Sequence, residues 1–136
     1  MKAEAVFEVK NWKEDIDMDI STSQKITKAH VEYLMKGDLE GYSAIQYIMF
    51  YSQYNLSDLH QSTAKYTGVI YFRGKLKGKS GAFAMEDSGV FKGGIVESKI
   101  QIIEGSGIED LTGIKGSGSY SVNEKGFKFE IDYQLE

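Results

Sequence analysis

The residues that could do chemistry in this chain are few and widely spaced. There are two histidines and no cysteine, which excludes a disulfide, a thiolate nucleophile and a thiolate metal site. His30 and His60 show neither H-x-H nor H-x-x-x-H spacing and no paired carboxylates nearby, so we predict no metal site. The sequence predicts solvated positions for both, His30 on the outer face of a strand and His60 in a loop.

Nucleophilic and acid-base signals are equally weak. No serine lies in a G-x-S-x-G elbow, so a hydrolase is disfavoured and no catalytic residue is assigned. The pairs in "MEDSG" and "EDLTG" put Glu beside Asp, and adjacent strand residues point to opposite faces. We interpret these carboxylates as solvated charges flanking turns, and we expect no cofactor.

The stretch "GSGIEDLTGIKGSG", residues 105–118, contains five glycines. It does not match a dinucleotide fingerprint, because Asp110 takes the place of the last glycine and no amphipathic helix follows. Ile108, Leu111 and Ile114 argue against a solvated linker. We therefore interpret the glycines as turns and close approaches within a sheet.

Length and charge limit the possible classes of protein. The 136 residues predict one domain, 1–136. A net charge of -4 disfavours a nucleic-acid partner. Charges interrupt the N-terminal segment where an export signal would be apolar, and the uncharged run at 41–57 is too polar for a membrane span. The expectation is a cytoplasmic protein with neither a nucleic-acid nor a membrane partner.

Hydrophobic residues alternate with polar ones along most of the chain. The clearest case is "GFKFEIDYQLE" at the C-terminus, a pattern typical of a strand with one buried face. The pattern predicts an all-β fold with eight strands, near residues 3–10, 25–37, 42–51, 64–76, 80–87, 94–104, 113–122 and 127–135. Short glycine-containing turns favour antiparallel neighbours, and the scarcity of helix favours a closed eight-stranded barrel. A sandwich is the alternative.

Two predicted strands carry most of the candidate ligand-binding residues. We expect the barrel interior to be lined by Tyr42, Gln46, Ile48 and Phe50 of the first and by Tyr66 and Ile70 of the second. The amide of Gln46 would either complete a structural network or anchor a ligand together with Tyr66.

Both faces of these two strands are apolar, so closing the barrel leaves one of them uncovered. The sequence predicts a homodimer through the strands near 42–51 and 64–72. The alternative cover is a loop from Trp12 to Gln24.

The segments "GDLEGYSAIQYIMFY", "RGKLKGKSGAFAMEDSGVFKGG", "GSGIEDLTGIKGSGSY" and "IDYQLE" together resemble a bacterial domain-of-unknown-function family of the allene oxide cyclase barrel-like group. The resemblance runs from Phe7 to Leu135. It implies a closed eight-stranded barrel whose interior can hold a small hydrophobic molecule, and it brings no established activity. The resemblance implies that an acidic residue is common at the position of Gln46, another at the position of Ile70, and a His in or near the position of Asp87, and this chain departs at all three.

These observations support a small-molecule-binding barrel with an apolar interior. A cofactor-free isomerase or cyclase acting on a small hydrophobic substrate is the second hypothesis. The third is a structural or interaction barrel that its own side chains fill.

Overall fold

A computed structural model describes residues 1–58, 61–123 and 126–135 of the chain. The strands are β1 (Lys2–Asp19), β2 (Lys25–Gly37), β3 (Leu39–Gln53), β4 (Thr63–Leu76), β5 (Lys79–Lys92), β6 (Ile95–Ile102), β7 (Ile108–Glu109), β8 (Lys115–Asn123) and β9 (Gly126–Gln134). All of the pairings between them are antiparallel.

The strands form one sheet in the order β4-β3-β2-β1-β9-β8-β6-β5-β7, and an additional β4–β5 pairing closes a ring of eight strands. The two-residue β7 lies outside the ring, paired with Gly81 and Ala82 of β5. The prediction of a closed eight-stranded antiparallel barrel is therefore confirmed. A sandwich is ruled out because β4 pairs with β5 along its whole length.

One half of the barrel, which we call the packed end, is filled by side chains. Its largest fully buried residues include Leu39, Phe72, Leu76, Phe83 and Ile102. The rings of Phe72 and Phe83 lie 5.5 Å apart between neighbouring strands. These residues come from the alternating inward positions of their strands, which is how a small barrel fills its interior.

The glycine-rich segment crosses the packed end and covers it. Leu111 and Ile114 are buried there, and Ser106 joins the segment to β5 by accepting a hydrogen bond from Ala84 N over 3.0 Å. Gly105 and Gly113 both have φ of +86°, a conformation that disfavours residues with a Cβ. The interpretation of these glycines as turns is confirmed.

The prediction of a loop from Trp12 to Gln24 is wrong for residues 12–19 and holds only for the connection at residues 20–24. Strand β1 continues to Asp19 and pairs with β2 throughout, with register shifts between Val9 and Asn11 and between Ile16 and Met18. Each bulge moves the following side chains to the other face, which hides the alternation that would mark a strand in the sequence.

Two further predictions concern loops. The predicted break between the strands near 80–87 and 94–104 is too long, because β5 continues to Lys92 and the chain turns only between Lys92 and Ile95. His60 and its neighbour Leu59 lie outside the described residues.

Among the residues that the structure describes, no helix has the length and hydrophobicity to cross a membrane.

Candidate functional site

The half of the barrel opposite the packed end, which we call the open end, contains an apolar cavity of about 250 Å³. Aromatic side chains form most of its wall: Phe7, Trp12, Tyr33, Tyr47, Tyr66 and Tyr120 are among them. They come from five different strands of the ring. The fold thus gathers residues that are distant in sequence around one small space.

A buried carboxyl lies behind the inner wall of this cavity, near the middle of the barrel. Asp87 is 1% exposed. The hydroxyls of Tyr47 and Tyr120 lie 2.7 Å and 2.6 Å from its Oδ2 atom, and they are also within hydrogen-bond distance of each other. Three oxygen atoms therefore make three mutual contacts.

All three contacts can be hydrogen bonds only if the three side chains together carry three protons. The two tyrosines supply one proton each, which is enough for two contacts. The third contact needs a proton on the Asp87 carboxyl. The geometry therefore fits the neutral acid better than the carboxylate.

The electrostatic environment acts in the same direction. Burial raises the pKa of Asp87, and hydrogen bonds from Tyr120, Tyr47 and Ser98 oppose that rise without cancelling it. The Oδ1 atom is buried without a hydrogen-bond partner. A neutral carboxyl tolerates such a position far better than an ionised one does.

Two more tyrosines complete the group that we call the tyrosine cluster: Tyr33, Tyr47, Tyr66 and Tyr120. The hydroxyl of Tyr66 is hydrogen-bonded to Ser98, and its pKa is raised to about 12, mainly by burial. Burial also raises the pKa of Tyr33, while hydrogen bonding to Tyr47 and Tyr120 lowers it. The phenols are therefore neutral donors at physiological pH.

Two inward-facing glycines make room for these contacts. Gly68 of β4 is paired with Tyr47 on one side and with Asp87 on the other, and a Cβ there would lie 2.7 Å from Tyr47 Cδ1 and 2.2 Å from Gln46 O. A Cβ on Gly89 would lie 2.6 Å from the Tyr66 hydroxyl. The absence of side chains at these positions lets the tyrosines reach across the sheet.

A second carboxylate, Glu14, lies where the cavity meets the open end. Its Oε2 accepts hydrogen bonds from Thr27 over 2.6 Å and Tyr51 over 2.7 Å, and its Oε1 accepts one from Trp12 over 3.0 Å. The hydrogen bonds from Thr27 and Tyr51 hold the far half of β1 against β2 and β3. Within the described ranges, no three side chains come together in a way that could hold a metal ion.

The sequence profile of a family described as "Protein of unknown function (DUF3224)" matches residues 3–135. The chain belongs to this family. It is similar to the crystal structure of a DUF3224 protein of unknown function from Shewanella oneidensis MR-1, with a TM-score of 0.79 and 18% sequence identity. That match covers 100% of this chain and 98% of the other, and at this identity it shows the fold alone. No curated protein matches the chain.

In this DUF3224 protein the six predicted ligand-binding residues divide between the two faces of the sheet. Tyr66 and Ile70 point into the barrel. The prediction that Tyr42, Gln46, Ile48 and Phe50 also line the interior is wrong, because they lie on the outer face; Tyr42, for example, is 63% exposed. Gln46 Nε2 donates a hydrogen bond to His30 Nδ1 over 2.6 Å on that outer face, so its amide completes a surface contact.

The physical reason is that β3 is apolar on both faces. Its inward positions are Ile45, Tyr47, Met49 and Tyr51. A one-residue change of register exchanges the two faces of a strand, and hydrophobicity alone does not choose between two apolar faces. The tyrosines face inward here because Asp87 and Glu14 provide buried acceptors for Tyr47 and Tyr51.

The interpretation of Asp87 as a solvated charge beside a turn is also wrong. Within "MEDSG", Glu86 is exposed and Asp87 is buried. The alternation Phe83, Met85, Asp87 contained the signal, because it places the carboxyl on the buried face of a strand that continues beyond it. If the strand is taken to end at residue 87, the carboxyl of Asp87 flanks a turn, and its buried position is not expected.

Proposed function

We propose that this protein binds a small, largely apolar molecule in the cavity of the open end. The observation that carries the proposal is an apolar space of about 250 Å³ whose wall includes Tyr47 and Tyr120, with their hydroxyls on the buried carboxyl of Asp87. Binding sites for small molecules combine an apolar lining with a few converging polar groups. Of the residues predicted from the sequence, Tyr66 belongs to this site.

The cavity volume limits the size of the ligand. Pockets for drug-sized molecules usually span about 300–1,000 Å³, and an apolar cavity of about 150 Å³ accommodates benzene. A space of about 250 Å³ suits a molecule with one or two rings. The hypothesis of a barrel filled by its own side chains fits the packed end but not the open end.

A cofactor-free isomerase or cyclase is the second candidate function. The specific observation in its favour is Asp87, a buried carboxyl with a raised pKa that two phenols contact behind the wall of the cavity. Groups of this kind can stabilise an oxygen that gains negative charge during a reaction. A relationship to allene oxide cyclases belongs to this second proposal.

Trp12, the single tryptophan of the chain, lines the cavity and provides a direct test. Its fluorescence is recorded while 2-naphthol is added, and we expect saturable quenching. The variant Val122→Phe narrows the cavity, and we expect it to weaken binding at least tenfold. The matched control Val69→Phe lies on the outer face and should bind like the original protein. Absence of quenching, or equal binding by both variants, would overturn the proposal.

We also propose a homodimer formed through the outer apolar patch, which consists of Tyr42, Ile48, Phe50, Val69 and Tyr71 on β3 and β4. Each of these side chains is at least 40% exposed. The segment from Trp12 to Asp19 lies within β1, so it does not fold over the patch as the alternative required. The predicted cytoplasmic location stays a prediction.

Charge favours a second copy of the chain as the partner. Lys28 lies beside Ile48 on the β2 side of the patch, and Glu86 lies beside Val69 on the β5 side. A two-fold axis parallel to the strands would bring Lys28 of each copy to within two residues, along the strand direction, of Glu86 of the other. Isologous dimers are built from self-complementary surfaces of this kind.

A further inference from the structure

Six polar side chains, each from a different strand, meet at the inner wall of the cavity. Tyr33, Tyr47, Tyr66, Asp87, Ser98 and Tyr120 come from β2, β3, β4, β5, β6 and β8, respectively. All six residues are at most 7% exposed. Four of them, the tyrosines, also line the cavity, so a ligand would contact the tyrosine side chains, with the carboxyl behind them.

The chemical character of this wall is that of a hydrogen-bond donor. Each phenol carries one proton, and none of the six side chains is a cation. Four contacts within hydrogen-bond distance join these side chains and use four protons. The six side chains carry six protons when Asp87 is neutral, so the proton of Tyr33 and one proton of the Tyr66–Ser98 pair are left for a further acceptor, either within the cluster or in a ligand.

Neutral donors in an apolar surrounding select for a particular type of oxygen. A ligand carboxylate would enter without a compensating positive charge, which is costly in a buried site. The oxygen of a phenol, enol or ketone needs no counter-ion and accepts strong hydrogen bonds, more so when it carries delocalised negative charge. An apolar molecule without an oxygen would leave the donors unused.

We propose that the tyrosine cluster and Asp87 form an oxygen-recognition site, and that the ligand is a compact one- or two-ring molecule bearing a phenol, enol or ketone oxygen. This inference rests on the proposed function and deepens it. Tyr47 donates to the ligand oxygen, and Asp87 positions its hydroxyl by donating to it while accepting from Tyr120.

The test compares two probes of the same shape, 2-naphthol and 2-methylnaphthalene, which differ only in whether oxygen or methyl is attached to the ring. Binding is measured on the full chain through Trp12 fluorescence. We expect the original protein to bind 2-naphthol at least tenfold more tightly, which is the size of effect expected from one or two buried hydrogen bonds. Equal affinities would overturn oxygen recognition while leaving the binding of apolar molecules intact. Failure of both probes to bind would overturn the proposed function itself.

Variants then locate the donor. Tyr47→Phe and Tyr120→Phe should lose the preference for 2-naphthol while still binding 2-methylnaphthalene. The control Tyr133→Phe removes the hydroxyl of another buried tyrosine that does not line the cavity, and it should keep the preference. Circular dichroism verifies folding, and Tyr66→Phe replaces either variant that fails to fold. A preference that survives in all of the cavity variants would contradict the assignment.

A spectroscopic measurement separates recognition from a structural role. Hydrogen bonds to the oxygen stabilise naphtholate, so the apparent pKa of bound 2-naphthol, read from its absorbance, should be higher in Tyr47→Phe than in the original protein. An unchanged pKa would show that the hydroxyl of Tyr47 does not contact the ligand.

Discussion

The hydroxyl of Tyr47 on β3 lies 2.7 Å from Oδ2 of Asp87 on β5, and the contact spans the intervening strand β4 at Gly68. This relationship links backbone register to chemistry. Tyr47, Gly68 and Asp87 are consecutive partners across three strands, so they all point into the barrel. Because Gly68, between them, has no side chain, Tyr47 and Asp87 can contact each other across β4.

The charge state of Asp87 makes the stability of the protein depend on pH. Its pKa is raised above the ordinary value of 3.8, so the folded state retains the proton over a range where the unfolded chain has lost it. The stabilisation is therefore full below about pH 3.8 and is lost as pH rises through the raised pKa, by at most about 1.4 kcal/mol per pH unit.

Asp87→Asn, which does not titrate, should thus gain stability relative to the original protein as pH increases from 4 to 8. Urea unfolding at several pH values measures this difference. Ser88→Ala, on the neighbouring outward position, controls for local disturbance and should show a constant difference. A constant difference for Asp87→Asn would mean that the carboxyl is ionised throughout the range.

The lack of space for a Cβ at Gly68 predicts the effect of adding a single methyl group there. In Gly68→Ala the new Cβ would overlap the Tyr47 ring and Gln46 O, so β3 or the ring has to move. We expect a loss of about 1–3 kcal/mol in the free energy of unfolding, together with weaker binding in the cavity. Thr67→Ala, next to it on the outer face, should cost less than about 0.5 kcal/mol. Equal effects of the two changes in denaturant titrations would contradict the packing described here.

The outer apolar patch predicts the oligomeric state. Sedimentation equilibrium at micromolar concentration should give the mass of a dimer, and the double variant Ile48→Lys with Val69→Lys should sediment as a monomer, because it places like charges within the interface. Ile95→Lys alters an equally exposed side chain on β6 and should remain dimeric. A monomeric mass for the unaltered chain would exclude this interface.

Much of the fold is predictable from alternation, and the C-terminal strand shows why. In β9 the residues Phe129, Ile131 and Tyr133 are buried, while Lys128, Glu130 and Asp132 point outward. One face is polar, so pattern and structure agree. The far half of β1 was predicted as a loop because two bulges interrupt its alternation.

The candidate site was less accessible from sequence than the fold. Its position depends on which apolar face of β3 points inward, and that choice is determined by hydrogen bonds to Asp87 and Glu14, far away in the sequence. Tyr66 was predicted as a polar anchor on the correct face, because it alternates with the charged Lys65 and with Thr67. The partners of a buried hydroxyl are three-dimensional information, and the alternation pattern does not contain them.

Because the barrel is divided into a packed end and an open end, the residues that stabilise the fold are different from those that line the cavity. Substitutions around the cavity can alter its shape and chemistry while the buried side chains of the packed end, such as Phe72 and Leu111, keep the sheet closed. Relatives could therefore exchange most of the cavity wall without losing their architecture. The solved relative, with a TM-score of 0.79 at 18% identity, shows how far sequences of this shape can diverge. We therefore expect the residues that line the cavity to vary more within such a family than the barrel architecture does.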